Sequence, residues 1–207
     1  AAFLAMDLEF LGRRDLADLF LDEYCLQAGD HAAHSLRHFC IAYRAVVRAK
    51  VDCVRVGQGH SDGIAAAQRH LAIAHSHLKA GCVQLVVIGG GPGTGKTTIA
   101  HALAEIIDAH VISTDEVRHE LRQSGDITGG VGDLNAGLYA PDKVSAVYDE
   151  VLNRAQNWLS AGHSVVLDAT WRDARQRQRA HTVAAETHSP TRPPSTPRPD
   201  LPGLPAR

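Results

Sequence analysis

The residues that leave the fewest chemical options are Gly90, Gly91, Pro92, Gly93, Thr94, Gly95, Lys96 and Thr97. They fit GxxxxGK(S/T), the phosphate-binding P-loop. Glycines let backbone N–H groups turn inward around phosphate oxygens, and a helix N-terminus adds its partial positive charge. Lys96 would reach the β- and γ-phosphates, and the Thr97 hydroxyl would take a place on a magnesium ion. A lysine at a helix N-terminus opposes the helix dipole, so a purely structural role explains Lys96 poorly. Residues Gly90 to Thr98, with Thr98 as the last contact, are therefore the expected nucleotide-binding segment. ATP and Mg2+ are the expected cofactors.

Two carboxylates stand where they could complete such a site. Asp115 follows an apolar run, His110-Val111-Ile112-Ser113, and could orient an acceptor hydroxyl or act as its base. The blander alternative places it in the first turn of a helix capped by Ser113 and Glu116, and the two roles are compatible. Asp168 ends Ser164-Val165-Val166-Leu167, where a buried carboxylate is costly without a cation. Holding Mg2+ with Thr97 is the better explanation, and capping the next segment is the bland one. Arg172, Arg175 and Arg179 recur at helical spacing and could face phosphate, although a solvated basic face explains them more simply. His31, His34 and His38 also share a face, with no carboxylate or thiol fixed near them by spacing. They read as solvated.

The elements that must position these residues are legible in outline. Leu85-Val86-Val87-Ile88 is a buried strand, the P-loop follows, and Thr98 to Ile107 form a helix. With strands at 110–113 and 164–168 and a helix from about Asp142 to Ala161, strand and helix alternate over 85–185. That is the pattern of an α/β domain with a parallel sheet. Pro141 suits the start of the long helix and Gly162 its end. Residues 1–56 read as wholly helical. Apolar stripes run through Phe3, Leu4, Leu8 and Leu11, through Leu16, Leu19, Phe20 and Cys25, and through Phe39, Tyr43, Val46 and Val47. Gly29 would close the second helix and Asp30 cap the third. After a turn at 57–63, Ile64, Ala67, Leu71, Ala74 and Leu78 mark a further helix. Seven of nine prolines fall between Pro190 and Pro205, so residues 186–207 are expected to be a disordered tail.

Composition narrows the partners. The formal net charge of −2 gives no electrostatic case for nucleic acid or an anionic membrane. No apolar run approaches the ~18 residues of a membrane span, and the first residues lack a basic signal-peptide region. Cys25, Cys40, Cys53 and Cys82 form no CxxC pair, so reduced thiols in a cytoplasmic protein are expected.

GGGPGTGKTTIAHALAE, STDEVRHELR and SVVLDATWRDARQRQRA resemble the three segments of small-molecule P-loop kinases and AAA-type ATP-binding domains. The resemblance implies an acidic residue near the acceptor, here Asp115, and a Walker-B-like strand ending in Asp168. AAFLAMDLEFLGRRDLADLFLDEYCLQAGD and YRAVVRAKV resemble the last helices of an aminoglycoside-phosphotransferase-like domain, which bacterial proteins fuse to such a kinase module. That domain's HxD-type catalytic loop and metal-binding Asp are absent from the chain. The resemblance further implies a sheet order of 2-3-1-4-5. Strands four and five would fall in the proline-rich stretch, whose text resembles a shifted frame, leaving strand 85–88 as an exposed edge.

The expected fold is thus α/β, a P-loop NTPase-like parallel sheet of three inferred strands behind a small all-helical segment. The expected parts are a phosphotransferase-like remnant (1–56), a linker and helix (57–84), a truncated P-loop kinase-like domain (85–185) and the tail (186–207). The expected activity is ATP-dependent phosphoryl transfer to a small hydroxylated molecule, with Lys96 and Asp115 catalytic. The alternatives are a non-catalytic nucleotide-binding module and a degenerate product without activity. The unpartnered helical stripes point to a homo-oligomer.

Overall fold

A computed structural model describes residues 1–30, 32–129 and 137–192. His31, the middle of the glycine-rich stretch at 130–136 and the proline-rich segment 193–207 lie outside the described residues. The chain divides into two compact units, 1–83 and 84–207. The first contains α1 (Ala2–Phe10), α2 (Arg14–Ala28), α3 (His34–Gly57) and α4 (Gly63–Ala80). The second contains β1 (Leu85–Gly89), α5 (Lys96–Ile107), β2 (Ala109–Ser113), α6 (Thr114–Ser124), α7 (Pro141–Ser160), β3 (Ser164–Ala169), α8 (Ala174–Glu186) and β4 (Thr191–Arg192), with a 3-10 turn at Gly137–Tyr139 before α7. Among the described residues no helix is long and apolar enough to cross a membrane.

In the helical unit the expected stripes hold only in part: Ala67 and Ala74 are buried and Leu8 and Phe20 pack against the core, while the largest residues turn outward. Phe3, Leu4, Leu19, Phe39, Tyr43, Ile64, Leu71 and Leu78 are exposed, and the core is Ala5, Met6, Ala17, Leu21, Ile41, Ala42, Ala45, Ile73 and Ala74. At two points α3 and the ends of α4 approach too closely for any side chain. A Cβ on Gly63 would sit 2.7 Å from the Asp52 carbonyl oxygen, and one on Gly81 would sit 2.7 Å from the His38 Cβ. Gly29 closes α2 in a left-handed conformation, as its position implied. Asp30 does not cap α3. It accepts the Ala32 N–H within its own turn, and the helix starts at His34 behind Ala33.

Polar groups fill the seam between the helices. His38 is buried, which corrects its assignment to a solvated face. Its Nδ1 lies 2.6 Å from Nδ1 of His77, its Nε2 3.0 Å from Nε2 of His34, and His77 Nε2 lies 2.6 Å from Glu9 Oε2. An ionised carboxylate only accepts, so His77 Nε2 donates to Glu9. With all three rings neutral, His38 Nδ1 then donates to His77, and His34 Nε2 donates to His38. Nearby, His70 Nδ1 pairs with Asp52 at 2.8 Å while its ring stacks on Phe10.

The α/β unit forms one parallel sheet in the order β2-β3-β1-β4. β3, central and apolar, is fully buried from Val165 to Leu167. Val166 packs with Val86 under Ala100 and Ala104 of α5. Side chains alternate along a strand, so Val165 and Leu167 point to the opposite face. α7 packs on β2 and β3, burying Val147, Val151, Leu152 and Ala155. The fourth strand corrects the expectation of an exposed β1 edge: Thr191 and Arg192 pair with Leu85 and Val86. Order therefore continues past residue 186, into the stretch expected to be tail.

Burial holds the His38 pKa down to about 4, helped by the charges of His34 and His77 and, more weakly, by Arg37 and Arg14. The unfolded ring takes its proton near the ordinary value of 6.5, so unfolded chains bind more protons between those limits. Stability from a neutral His38 is complete above about pH 6.5 and falls as the pH drops toward 4. The expected loss is about 1–2 kcal/mol by pH 5, and thermal melts at pH 7 and pH 5 should differ by several degrees. A His38→Gln chain should show a flatter pH dependence than the natural one.

Candidate functional site

Register assembles the site. Ile88 lies beside Asp168 and Asp168 beside Ser113, so β1, β3 and β2 end at one level. The segments leaving those ends are the P-loop, the chain from Asp168 to Asp173, and the start of α6. In open parallel sheets, ligands bind outside these carboxyl ends.

The loop takes the conformation its glycines allow. Gly93 and Gly95 have φ of +75° and +79°, left-handed values that glycine adopts without strain. Gly90 is held close, since a Cβ there would sit 2.9 Å from the Thr94 hydroxyl. That hydroxyl donates to the Gly91 carbonyl at 2.9 Å, and Lys96 Nζ lies 3.4 Å from the same oxygen. Pro92 to Gly95, Thr97 and Thr98 are exposed, so the loop N–H groups and the start of α5 are open to an anion.

Thr97 and Asp168, 71 residues apart, meet directly. The Thr97 hydroxyl donates to Asp168 Oδ2 at 2.7 Å. Asp168 is only 3% exposed, and its Oδ1 is buried with no hydrogen-bond partner. Thr114 donates to the Asp168 carbonyl at 3.4 Å, tying α6 to the end of β3. A buried carboxylate oxygen left unpaired is costly, and a hard cation satisfies it. Thr97 and Asp168 together offer the oxygen donors that such an ion takes. Among the described residues no group of three His, Cys, Asp or Glu could hold a metal, so the remaining ligands would have to come from phosphate and water.

Asp115 is placed differently from those two. It sits in the first turn of α6, where its N–H donates to the Ser113 hydroxyl at 3.2 Å, so the capping role is present. Its side chain is 81% exposed and its carboxylate accepts from Arg118 at 2.6 Å. No hydrogen bond joins it to the loop or to Asp168. Of the three arginines, Arg179 pairs with Asp149 at 2.5 Å, while Arg172 and Arg175 are exposed.

Sequence reasoning missed Trp171, Tyr148 and Arg177. Trp171 is 4% exposed and has φ of +50°. Its N–H donates to the Tyr148 hydroxyl at 3.3 Å, and Arg177 Nη1 donates to the carbonyls of Trp171 and Arg172 at 2.5 and 3.0 Å. Positive φ on a tryptophan has no sequence signature. The one available hint was a large aromatic residue three positions after the strand-ending aspartate.

Comparison with known proteins places this geometry. A model of the AAA domain matches residues 85–193, just over half of the chain. Uncharacterized proteins of Mycobacterium tuberculosis and Mycobacterium bovis are 57% identical over 189 residues, or 91% of this chain. The chain spans 38% of the length of these relatives. A crystal structure from Chloroflexus aurantiacus, of a protein provisionally named a kinase, shares 17% identity with a TM-score of 0.44. It covers 53% of this chain and 55% of its own. On its loop, its sheet and its match over residues 85–193, the chain belongs to the AAA domain family and is a P-loop nucleotide-binding protein.

Proposed function

We propose that the protein binds ATP with Mg2+ and transfers the terminal phosphoryl group to a hydroxyl of a small molecule. The observation that carries this is the Thr97–Asp168 pair, with Asp168 Oδ1 buried and unpartnered beside the P-loop. The loop N–H groups and the N-terminus of α5 hold the phosphates. Lys96, lightly engaged by the Gly91 carbonyl, is free to turn to the β- and γ-oxygens and stabilise the charge that develops there. Thr97 and Asp168 hold the metal. When bound, Mg2+ neutralises charge on the transferring group. Asp115 orients the acceptor, for which its carboxylate must exchange Arg118 for the acceptor hydroxyl.

That last requirement favours a second reading. Because Asp115 is solvent-facing and ion-paired, a module that binds nucleotide without turnover is the alternative. The resemblance of residues 1–56 to the end of a phosphotransferase-like domain belongs to the proposal too, and rests on the sequence alone. ATP dependence argues for a cytoplasmic setting. Exposed Phe3, Phe39 and Tyr43 support self-association through the helical unit.

Lys96→Ala should weaken ATP binding at least tenfold by calorimetry, with far-UV circular dichroism and melting unchanged, since Lys96 makes no core contact. ADP release by the natural chain, absent in Lys96→Ala, separates the enzyme from the binding module. Binding without any ADP release would favour the module.

Asp168→Asn supplies a second test. It removes a buried charge while keeping a group that can accept from Thr97, so melting without ligands should hold or rise by about 1 kcal/mol of stability. The Mg2+ dependence of nucleotide binding should disappear. A large loss of stability would mean that Asp168 is structural.

A further inference from the structure

Trp171 breaks two local rules at once. Its φ of +50° is the left-handed conformation, unfavourable for a bulky residue. Its indole Nε1 is buried without a hydrogen-bond partner, although an indole N–H can only donate. Either cost would be noteworthy in a scaffold, and both fall on one residue three positions beyond Asp168.

The surroundings impose this arrangement. The Tyr148 hydroxyl accepts the Trp171 backbone N–H, Arg177 clamps the carbonyls of Trp171 and Arg172, and the Tyr148 ring meets the indole edge-on with centroids 5.2 Å apart. The indole lies against Gly89, the last residue of β1 and the one before the phosphate loop. A Cβ on Gly89 would sit 3.6 Å from Trp171 Cδ1, the ring carbon bonded to Nε1. The unpaired donor is thus bonded to the ring carbon that faces Gly89, the residue at which β1 gives way to the loop. Strain and an unsatisfied donor held in place by several contacts are features that collect where a ligand completes the structure. A donor-only group calls for an oxygen-rich, acceptor-only ligand, and phosphate is that ligand at the mouth of a P-loop.

We propose that Trp171 senses the terminal phosphate of the bound nucleotide: when a triphosphate binds, the segment after β3 shifts so that the indole N–H donates to a γ-phosphate oxygen. The inference rests on the nucleotide-binding reading of the loop and adds to it a residue that tells triphosphate from diphosphate.

Trp158 and Trp171 are the two tryptophans of the chain. Trp158 stacks on His110 at 3.7 Å, away from the loop. In the full chain carrying Trp158→Phe and 15N-labelled indole, Trp171 therefore gives a single indole N–H resonance. This protein is titrated with Mg2+ and a non-hydrolysable ATP analogue, with Mg2+ and ADP, and with Mg2+ alone, while calorimetry records binding. A downfield indole shift with the analogue, much smaller with ADP and absent with Mg2+ alone, supports the proposal. An equal shift with both nucleotides, or binding without a shift, overturns it and leaves the loop reading intact. No heat with either nucleotide overturns the loop reading and this inference together. Trp171→Phe keeps the ring and removes the donor. It should weaken the analogue about 10- to 100-fold and change ADP affinity less than about twofold. Should that variant unfold, the resonance of the Trp158→Phe chain still decides.

Discussion

The site depends on the alignment of three parallel strands at their carboxyl ends. Pairing of β1 with β3 and of β3 with β2 sets Ile88, Asp168 and Ser113 side by side. A one-residue slip of β3 would turn Asp168 from the loop side to the opposite face and bring an apolar neighbour to Thr97. The 2.7 Å hydrogen bond between Thr97 and Asp168 is thus the local sign of a global register. That register is secured by the dry packing of Val165, Val166 and Leu167 between helices. Nothing at the site is contributed by one element alone. The loop depends on α5 for its dipole, and α6 depends on the Thr114 bond to the end of β3 for its placement.

What was legible in the sequence follows from how local the governing physics is. The P-loop was legible because its glycines, its lysine and its threonine carry their geometry in an eight-residue word. The Thr97–Asp168 meeting was legible because an aspartate ending an apolar strand has few inexpensive fates. Asp115 was half legible: its place in the first turn behind a Ser113 cap was foreseen, with Glu116 rather than Asp115 as the expected partner, while its ion pair with Arg118 depended on rotamers that spacing does not settle. The fourth strand was hidden, because a two-residue pairing of Thr191 and Arg192 leaves no periodicity to detect. Trp171 was hidden too, since a backbone held left-handed by Tyr148 and Arg177 is a tertiary effect.

The helical unit departs in part from its hydrophobic pattern for a different reason. Such analysis assigns the inside of a helix to its largest apolar residues, here Phe39, Tyr43 and Leu71. Close approach at Gly63 and Gly81 leaves no room for a side chain at those two positions, and the core of this unit mixes alanines with Met6, Leu21, Ile41 and Ile73. The polar residues that then fall inside are tolerable only when fully paired. The buried His38 and His77 achieve this in a chain that runs from exposed His34 to the Glu9 carboxylate. Losing the central ring, His38, leaves both His34 and His77 without the partner it supplied, so the chain is cooperative where an apolar core would be incremental.

The α/β unit shows the opposite economy. It satisfies nearly every buried polar group it is described with, and yet leaves two of opposite character unpaired at one end of the sheet: the Asp168 Oδ1 acceptor and the Trp171 Nε1 donor. An unpaired carboxylate oxygen is relieved by a cation, and an unpaired N–H by an anion or a carbonyl. A single ordinary side chain could relieve one of them and would do nothing for the other. A magnesium–nucleotide complex presents both, a hard cation next to phosphate oxygens, in one ligand. The two deficits therefore constrain each other. The two atoms lie on either side of Ala169 and Thr170, so one ligand at the end of β3 would meet both under the proposed reading.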